Sequence, residues 1–296
     1  MPYFTIIIPS FNRAHIIIKS IQSVLEQSFE DFELIIVDDG STDDTRELVK
    51  KYLFNKQIKY IYQNNAGVCA ARNAGARLAE GNYLIFLDSD DIVENNWLYD
   101  FYAEIENKGA DILYCSVKIQ NYDNTIEYIN VDNPYGNYKG AGIDLAGSWA
   151  IKKKIFCEVG MYDEVIKFGE NNELRLRINS LNLNIGLIKK YNLVYFASKN
   201  GGSKNYQNKI NSILYILDKH KDYYNKNRHV KKLFLQTAAV SAVRIKQTKK
   251  ANHLFKLALS ENKTNVKLWL QCFITTSDFL ANLTWPKSLN QIHEKN

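Results

Sequence analysis

Within the first hundred residues, four short apolar runs alternate with four stretches of helical spacing, and every apolar run ends in a polar cluster. The runs are 4–9, 32–38, 58–63 and 83–88, and the helical stretches are 14–27, 42–52, 67–79 and 96–106. Leu84, Ile85, Phe86 and Leu87 are apolar without alternation, the pattern of a strand covered on both faces. Short connections between strand and helix favour a mainly parallel sheet with right-handed crossovers, an α/β fold. In such sheets the carboxyl ends of the strands are where ligands bind. The fourth run stops at Asp88-Ser89-Asp90-Asp91, and hard oxygen ligands grouped there suit Mg²⁺ or Mn²⁺ holding a diphosphate.

The 296 residues allow one large α/β domain and a smaller appendage. Residues 3–9 read as a strand, without a basic leader or a small-residue cleavage site, so no secretory signal is expected. No stretch approaches the ~18 apolar residues of a spanning helix. Cys69, Cys115, Cys157 and Cys272 have neither metal-ligand nor redox spacing, and reduced thiols in a cytoplasmic protein are expected.

The net charge of +6 hides an asymmetry. Residues 204–296 carry 17 Lys and Arg against 5 Asp and Glu, whereas residues 1–203 carry 21 against 27. We therefore divide the chain into residues 1–203 and a basic helical region, 204–296, and the first part further into 1–110 and 111–203. Past residue 111 the rhythm changes. Residues 112–131 read as a hairpin, 133–142 as loop, and a helix near Glu173 precedes a strand over 185–196. Beyond the Gly-rich 199–203 stretch, Ile210, Ile213, Leu214 and Leu217 recur at helical spacing.

Four successive strand ends carry polar clusters. They are Pro9-Ser10-Phe11-Asn12-Arg13, Val37-Asp38-Asp39-Gly40-Ser41-Thr42-Asp43, Gln63-Asn64-Asn65-Ala66-Gly67 leading into Ala71-Arg72-Asn73, and Leu87-Asp88-Ser89-Asp90-Asp91. Four capped turns delivered to one sheet edge point to a ligand. This order closely resembles the family 2 glycosyltransferases of GT-A fold, over roughly residues 3–203. The resemblance implies a Rossmann-like, mixed, mainly parallel sheet flanked by helices, here with a C-terminal helical extension. It also implies an inverting transfer from a nucleotide sugar, usually a UDP-sugar, with Mn²⁺ or Mg²⁺.

Carried onto this chain, the resemblance makes Pro9, Phe11, Asn12 and Arg13 one wall of the nucleotide site, with Phe11 offering a face to the base. Asp39 accepts from the pyrimidine N–H, a donor that uracil has and cytosine lacks. Asn65 and Arg72 are further nucleotide contacts. Asp88 and Ser89 lie by the ribose or metal, Asp90 is the principal metal ligand with Asp88, and Asp91 supports the turn or meets the donor sugar. The family's general base is a carboxylate in a Glu-Asp pair opening a helix. Here that stretch reads Gly169-Glu170-Asn171-Asn172-Glu173, and Asn171 stands at the usual base position. An amide cannot take a proton, so Glu170 is assigned as the base, with Glu173 or an inactivated site as alternatives.

Many relatives place a His after the last strand; residues 195–204 have none, and Lys199 or Lys204 is left to neutralise the diphosphate. Trp149 is the leading candidate for stacking on an acceptor sugar, ahead of Tyr128, Tyr135 and Tyr138. The expected reaction moves a sugar from a UDP-sugar donor to a hydroxyl of a glycan or lipid-linked glycan acceptor, in bacterial surface polysaccharide synthesis. The rival is a catalytically impaired nucleotide-sugar-binding subunit; a nucleotidyltransferase is disfavoured because residues 9–13 lack glycine. The basic helices, through Lys231, Lys232, Arg244, Lys246, Lys249 and Lys250, either offer a contact to a membrane at its inner face or pack on the catalytic domain with solvated lysines outward. No specific nucleic-acid partner is expected.

Overall fold

Strand β1, Phe4–Ser10, is the hinge of the architecture, because it pairs in parallel with β2, Phe32–Asp38, on one side and β4, Tyr83–Phe86, on the other. The computed structural model describes residues 1–131, 145–197, 205–262 and 264–277. The chain forms two units, Met1–Glu164 with Glu170–Lys199, and Val165–Gly169 with Asn200–Asn296.

In the first unit, β3 (Ile58–Tyr62) extends the parallel set beyond β2. The chain leaves β1 toward β2 and β3 and comes back on the opposite side as β4, which creates a topological switch between β1 and β4. Ser10 lies opposite Asp38, and Asp38 opposite Tyr62, so three loops leave the sheet at one level. Phe86 lies opposite Ile7, which brings residues 88–91 to the same edge.

The remaining strands make the sheet mixed. β8 (Trp149–Lys152) is antiparallel to β4 and to β6 (Ile112–Gln120); β9 (Ile185–Phe196) is parallel to β6, and β7 (Ile126–Ile129) forms a hairpin with β6. A two-residue strand, β5 (Ile92–Val93), pairs with β9. The sequence does not announce it, because two residues carry no periodicity.

Alternation along β1 sorts its side chains onto two faces. Ile6 and Ile8 join a core with Ile17, Ile21 and Val24 of α1 (Ile17–Leu25) and Trp97 and Phe101 of α4 (Trp97–Lys108). Ile7 joins a second core with Phe86 and with Cys69, Ala71 and Ala76 of α3 (Val68–Leu78). All four residues of β4 are buried, and each large apolar side chain so covered contributes about 1.5–3 kcal/mol. Gly75 lets α3 sit close on the sheet, since a Cβ there would lie 2.6 Å from Ile7 Cγ2.

Two helices begin later than the spacing predicts. The amides of Ile16 and Ile17 both donate to the Arg13 carbonyl, so a turn precedes α1. Helix α2 is Thr45–Lys50: Ser41 and Thr42 hold the β1 loop, while Asp43 serves both, its Oδ2 accepting from the Ala14 amide and its Oδ1 from the Thr45 amide at the helix start. Helices α5 (Lys153–Glu158) and α6 (Glu170–Ile178) complete the unit, α6 opening three residues before Glu173.

The second unit is helical: α7 (Tyr206–Lys219), α8 (Lys221–Lys226), α9 (Arg228–Arg244), α10 (Thr248–Glu261) and α11 (Val266–Ile274). Ile210 and Ile213 of α7 are buried as their spacing predicts, against Leu235, Ala238, Ala239 and Ala242 of α9 and Leu254, Phe255 and Ala258 of α10. The small residues on α9 let α10 approach closely. Several of the basic residues that the sequence offered to a membrane are used inside this bundle. Lys232 is buried, Arg228 and Lys231 pair with Glu261, and the Arg244 guanidinium lies 5.4 Å from the Tyr206 ring centroid. Among the described residues no helix is long and apolar enough to cross a membrane.

Candidate active site

The edge where β1, β2, β3 and β4 end is built by side chains that tie one loop to the next. The Asn12 amide donates to Ser41 Oγ at 2.9 Å, and the Thr42 amide donates to Asn12 Oδ1 at 2.8 Å. Asn12 has a φ of 54°, a left-handed conformation that Asn tolerates better than most residues. The amides of Arg13 and Ala14 donate to Thr45 Oγ1 and Asp43 Oδ2. The polar run 41–45 therefore fixes the β1 loop, and Phe11, at 45% exposure, is left projecting from it. Pro9 is buried at the end of β1.

Asp38 and Asp39 are both buried but do different work. Asp38 accepts from the Ser41 amide and from the Tyr60 hydroxyl, which holds the turn. Asp39 Oδ1 accepts from Gln63 Nε2 and the Ala66 amide, and its Oδ2 accepts from the Gly67 amide at 2.8 Å. This carboxylate is aimed by the loop that follows β3. Gly40 makes the approach possible: its φ is +85°, and a Cβ would stand 2.9 Å from the Asn65 amide nitrogen. Asn65 itself is exposed beside it.

Arg72 is the centre of the site. It comes from α3, is 2% exposed, and donates from Nη2 to Asp88 Oδ1 at 2.7 Å and from Nη1 to Glu170 Oε1 at 2.9 Å. Burial opposes its charge, but Asp88, Tyr162 and Glu170 outweigh that and hold its pKa well above the usual value. The guanidinium lies 5.3 Å from the Tyr162 ring centroid. The Tyr162 hydroxyl in turn donates to Asn171 Oδ1 at 2.8 Å. Asn73, buried next to Arg72, clamps the backbone of Tyr162 from both sides: its Nδ2 donates to the Tyr162 carbonyl and its Oδ1 accepts from the Tyr162 amide. The sequence alone does not mark these roles of Asn73 and Tyr162. The available signal was their place in the Ala-Arg-Asn and Tyr-Asp-Glu motifs.

Asp88, Asp90 and Asp91 each bring one carboxylate oxygen into a group whose members all lie within 4.8 Å of one another. Arg13 Nη2 stands 3.8 Å from Asp90. Burial and the neighbouring Asp88 raise the Asp90 pKa, and burial with both neighbours raises Asp91 well above the carboxylate range. The Tyr195 hydroxyl on β9 is pushed up to about 12 by partial burial and by the same three carboxylates. Asp91 supports the turn: its Oδ1 accepts from the Phe196 amide, and its carbonyl accepts from Ser20 Oγ. Its buried Oδ2 has no hydrogen-bond partner. Crowded carboxylates with an orphaned buried oxygen fit a divalent cation. Ser89 is buried between them.

Trp149, the expected acceptor platform, is 4% exposed and its ring packs on Phe86 at 5.7 Å between centroids. It belongs to the core beneath the site, and no broad ring face is open to a sugar. It does contribute to the lining of a small surface depression that Asn171, Arg175 and Tyr114 share. Tyr128 is exposed on β7 and packs edge-on against Tyr191. Tyr135, Tyr138, Lys199 and Lys204 lie outside the described residues. Glu173 is buried and bound three ways by Arg177, which removes it as an alternative base.

A parallel-to-mixed sheet with its loops, an acidic group and a buried arginine converging at the switch point defines a GT-A fold. Residues 5–160 match the glycosyl transferase family 2 profile, and the chain belongs to that family. An uncharacterized glycosyltransferase of Rickettsia felis is 30% identical over an alignment of 310 positions that covers 95% of this chain and 47% of that protein. One of Rickettsia bellii is 31% identical over an alignment of 228 positions that covers 72% of this chain and 32% of its own length. The chain thus spans half or less of these relatives. Among solved structures, Staphylococcus aureus TarS residues 1–349 with UDP-GlcNAc superposes with a TM-score of 0.64 at 18% identity, covering 95% of this chain and 89% of TarS 1–349. GalNAc-T7 with UDP, GalNAc and Mn²⁺ gives a TM-score of 0.58 at 18% identity, covering 74% and 48%.

Proposed function

We propose that the chain transfers a sugar from a UDP-sugar to a hydroxyl of a glycan or lipid-linked glycan acceptor, with inversion at the anomeric carbon, in the synthesis of a bacterial surface polysaccharide. The observation that carries this reading is Arg72, whose two nitrogens bridge Asp88 of the acidic group and Glu170 at the head of α6. One buried cation so fixes the donor-binding and proton-accepting groups in a single frame. That TarS has been solved with UDP-GlcNAc and with UDP supports the donor class.

In this reading Phe11 stacks on the base, worth about 1–3 kcal/mol, and Asp39, oriented by the Ala66 and Gly67 amides, accepts from uracil N3–H. Asn12, Arg13, Asn65 and Ser89 complete the nucleotide wall. Asp90 and Asp88 would hold Mn²⁺ or Mg²⁺, which offsets charge on the leaving diphosphate when bound. Glu170 takes the proton from the acceptor hydroxyl as that oxygen bonds to the anomeric carbon and the bond from that carbon to the diphosphate oxygen breaks, releasing UDP. One Glu170 oxygen is bound to Arg72, so the other is the proton acceptor. Four unbridged cysteines accord with a cytoplasmic enzyme.

The second reading is a donor-binding subunit without turnover. Asn171, held by Tyr162 at the family's base position, favours it. Screening UDP-sugars for Mn²⁺-dependent release of UDP separates the two. Turnover that falls at least about a hundredfold in Glu170→Gln establishes the enzyme and its base. Binding without turnover, restored by Asn171→Asp, establishes the silent subunit. Full activity in Glu170→Gln removes Glu170 from the role.

A further inference from the structure

Helix α11 turns its apolar side away from its own bundle. Leu268 and Cys272 are buried, whereas Val266, Trp269, Leu270 and Phe273 are exposed at 80%, 57%, 57% and 65%. Positions i, i+3, i+4 and i+7 form one stripe on a helix, so these four side chains make a continuous outward strip. The orientation is fixed. Asn265 Oδ1 caps the helix by accepting from the Leu268 amide, and Asn252 Nδ2 donates to the Cys272 carbonyl at 2.7 Å. Rolling the strip inward would break the contact with Asn252.

The charge around the strip has one sign. Lys267 is exposed on α11 itself, and Lys256 is exposed on α10, the helix that packs against it. Lys249 and Lys250 open α10. Among the described residues of α10 and α11 the one carboxylate is Glu261, already paired with Arg228 and Lys231. Residues 205–277 as a whole carry 14 Lys and Arg against 3 Asp and Glu. A second copy pairing strip to strip would meet it with like charge. An anionic bilayer matches it: apolar side chains enter the acyl boundary, an indole sits at the interface, and lysines meet the headgroups.

We propose that α11 is a peripheral docking element for an anionic phospholipid surface, with Val266, Leu270 and Phe273 entering the bilayer, Trp269 at its interface, and Lys256 and Lys267 on the headgroups. At nine residues the helix lies on the surface and does not cross it.

The test is cosedimentation of the full chain with vesicles of phosphatidylcholine alone or mixed with phosphatidylglycerol. The expected result is binding to the phosphatidylglycerol vesicles only, weakened by at least about tenfold in Leu270→Glu/Phe273→Glu and in Lys256→Glu/Lys267→Glu. These side chains are exposed, so circular dichroism should show an unchanged fold. Independently of those variants, tryptophan emission should shift to the blue on adding phosphatidylglycerol vesicles, and the shift should vanish in Trp269→Phe. Failure of the native chain to bind, or binding that the Leu270/Phe273 variant leaves intact, overturns the proposal. So does a dimer in sedimentation velocity that the same variant dissolves, because the strip would then be a self-interface.

Discussion

Arg72 illustrates how one side chain can decide what its neighbours do. Its guanidinium is buried, and two of its nitrogens are spent on carboxylates. A lysine is a point charge and cannot reproduce that fork. Arg72→Lys is expected to lower turnover by about a hundredfold with little loss of stability, and Arg72→Ala to destabilise by about 3 kcal/mol because it strands two carboxylates. Steady-state kinetics beside urea denaturation separates these outcomes. Glu33 plays a structural part of the same kind. It is buried and accepts from Thr5 Oγ1, from the Glu80 amide and from Lys59. Burial alone would raise its pKa, but those donors win and lower it below the ordinary 4.5. A carboxylate depressed on folding stabilises above its unfolded pKa and loses that contribution as pH falls through the folded value. Glu33→Gln should therefore cost about 2 kcal/mol at pH 7, and the gap to the native protein should close below pH 4.5, as read by melting temperature against pH.

Loops and helices place these residues, and the β2 loop shows how. Strand ends in register make it possible for the 41–45 side chains to hold the β1 loop and for the Ala66 and Gly67 amides to hold Asp39. Gly40 sits where these loops meet. Gly40→Ala would force a Cβ at φ +85° to within 2.9 Å of the Asn65 amide. That change should cost about 2 kcal/mol and weaken UDP binding measured by calorimetry. At this scale the sequence was readable wherever the signal was local. Buried parallel strands announce themselves as unbroken apolar runs, and Leu84–Leu87 did. Helix α1 begins later than its spacing suggests because a turn on the Arg13 carbonyl precedes it, and α2 because Ser41 and Thr42 are committed to Asn12 in a loop about thirty residues away. The β5 strand has only two residues and exists because β9 lies beside it.

The whole molecule consists of two units, each with its own apolar core. Phe255→Ala, in the helical core, is expected to destabilise that unit by about 3–5 kcal/mol while UDP binding to the first unit persists, checked by thermal circular dichroism and calorimetry. By itself the sequence determined the sheet-edge clusters, the acidic group at Asp88–Asp91, the family and the charge contrast between the chain's parts, because these depend on short-range pattern. Tertiary structure alone decided that Arg72, already paired with Asp88, also meets Glu170 98 positions further on, that Glu173 is locked to Arg177, that Trp149 is core, and that α11 faces outward. Such facts rest on which side chains meet across the fold, and residue spacing along a chain does not specify which of several capable partners a buried charge or ring will find.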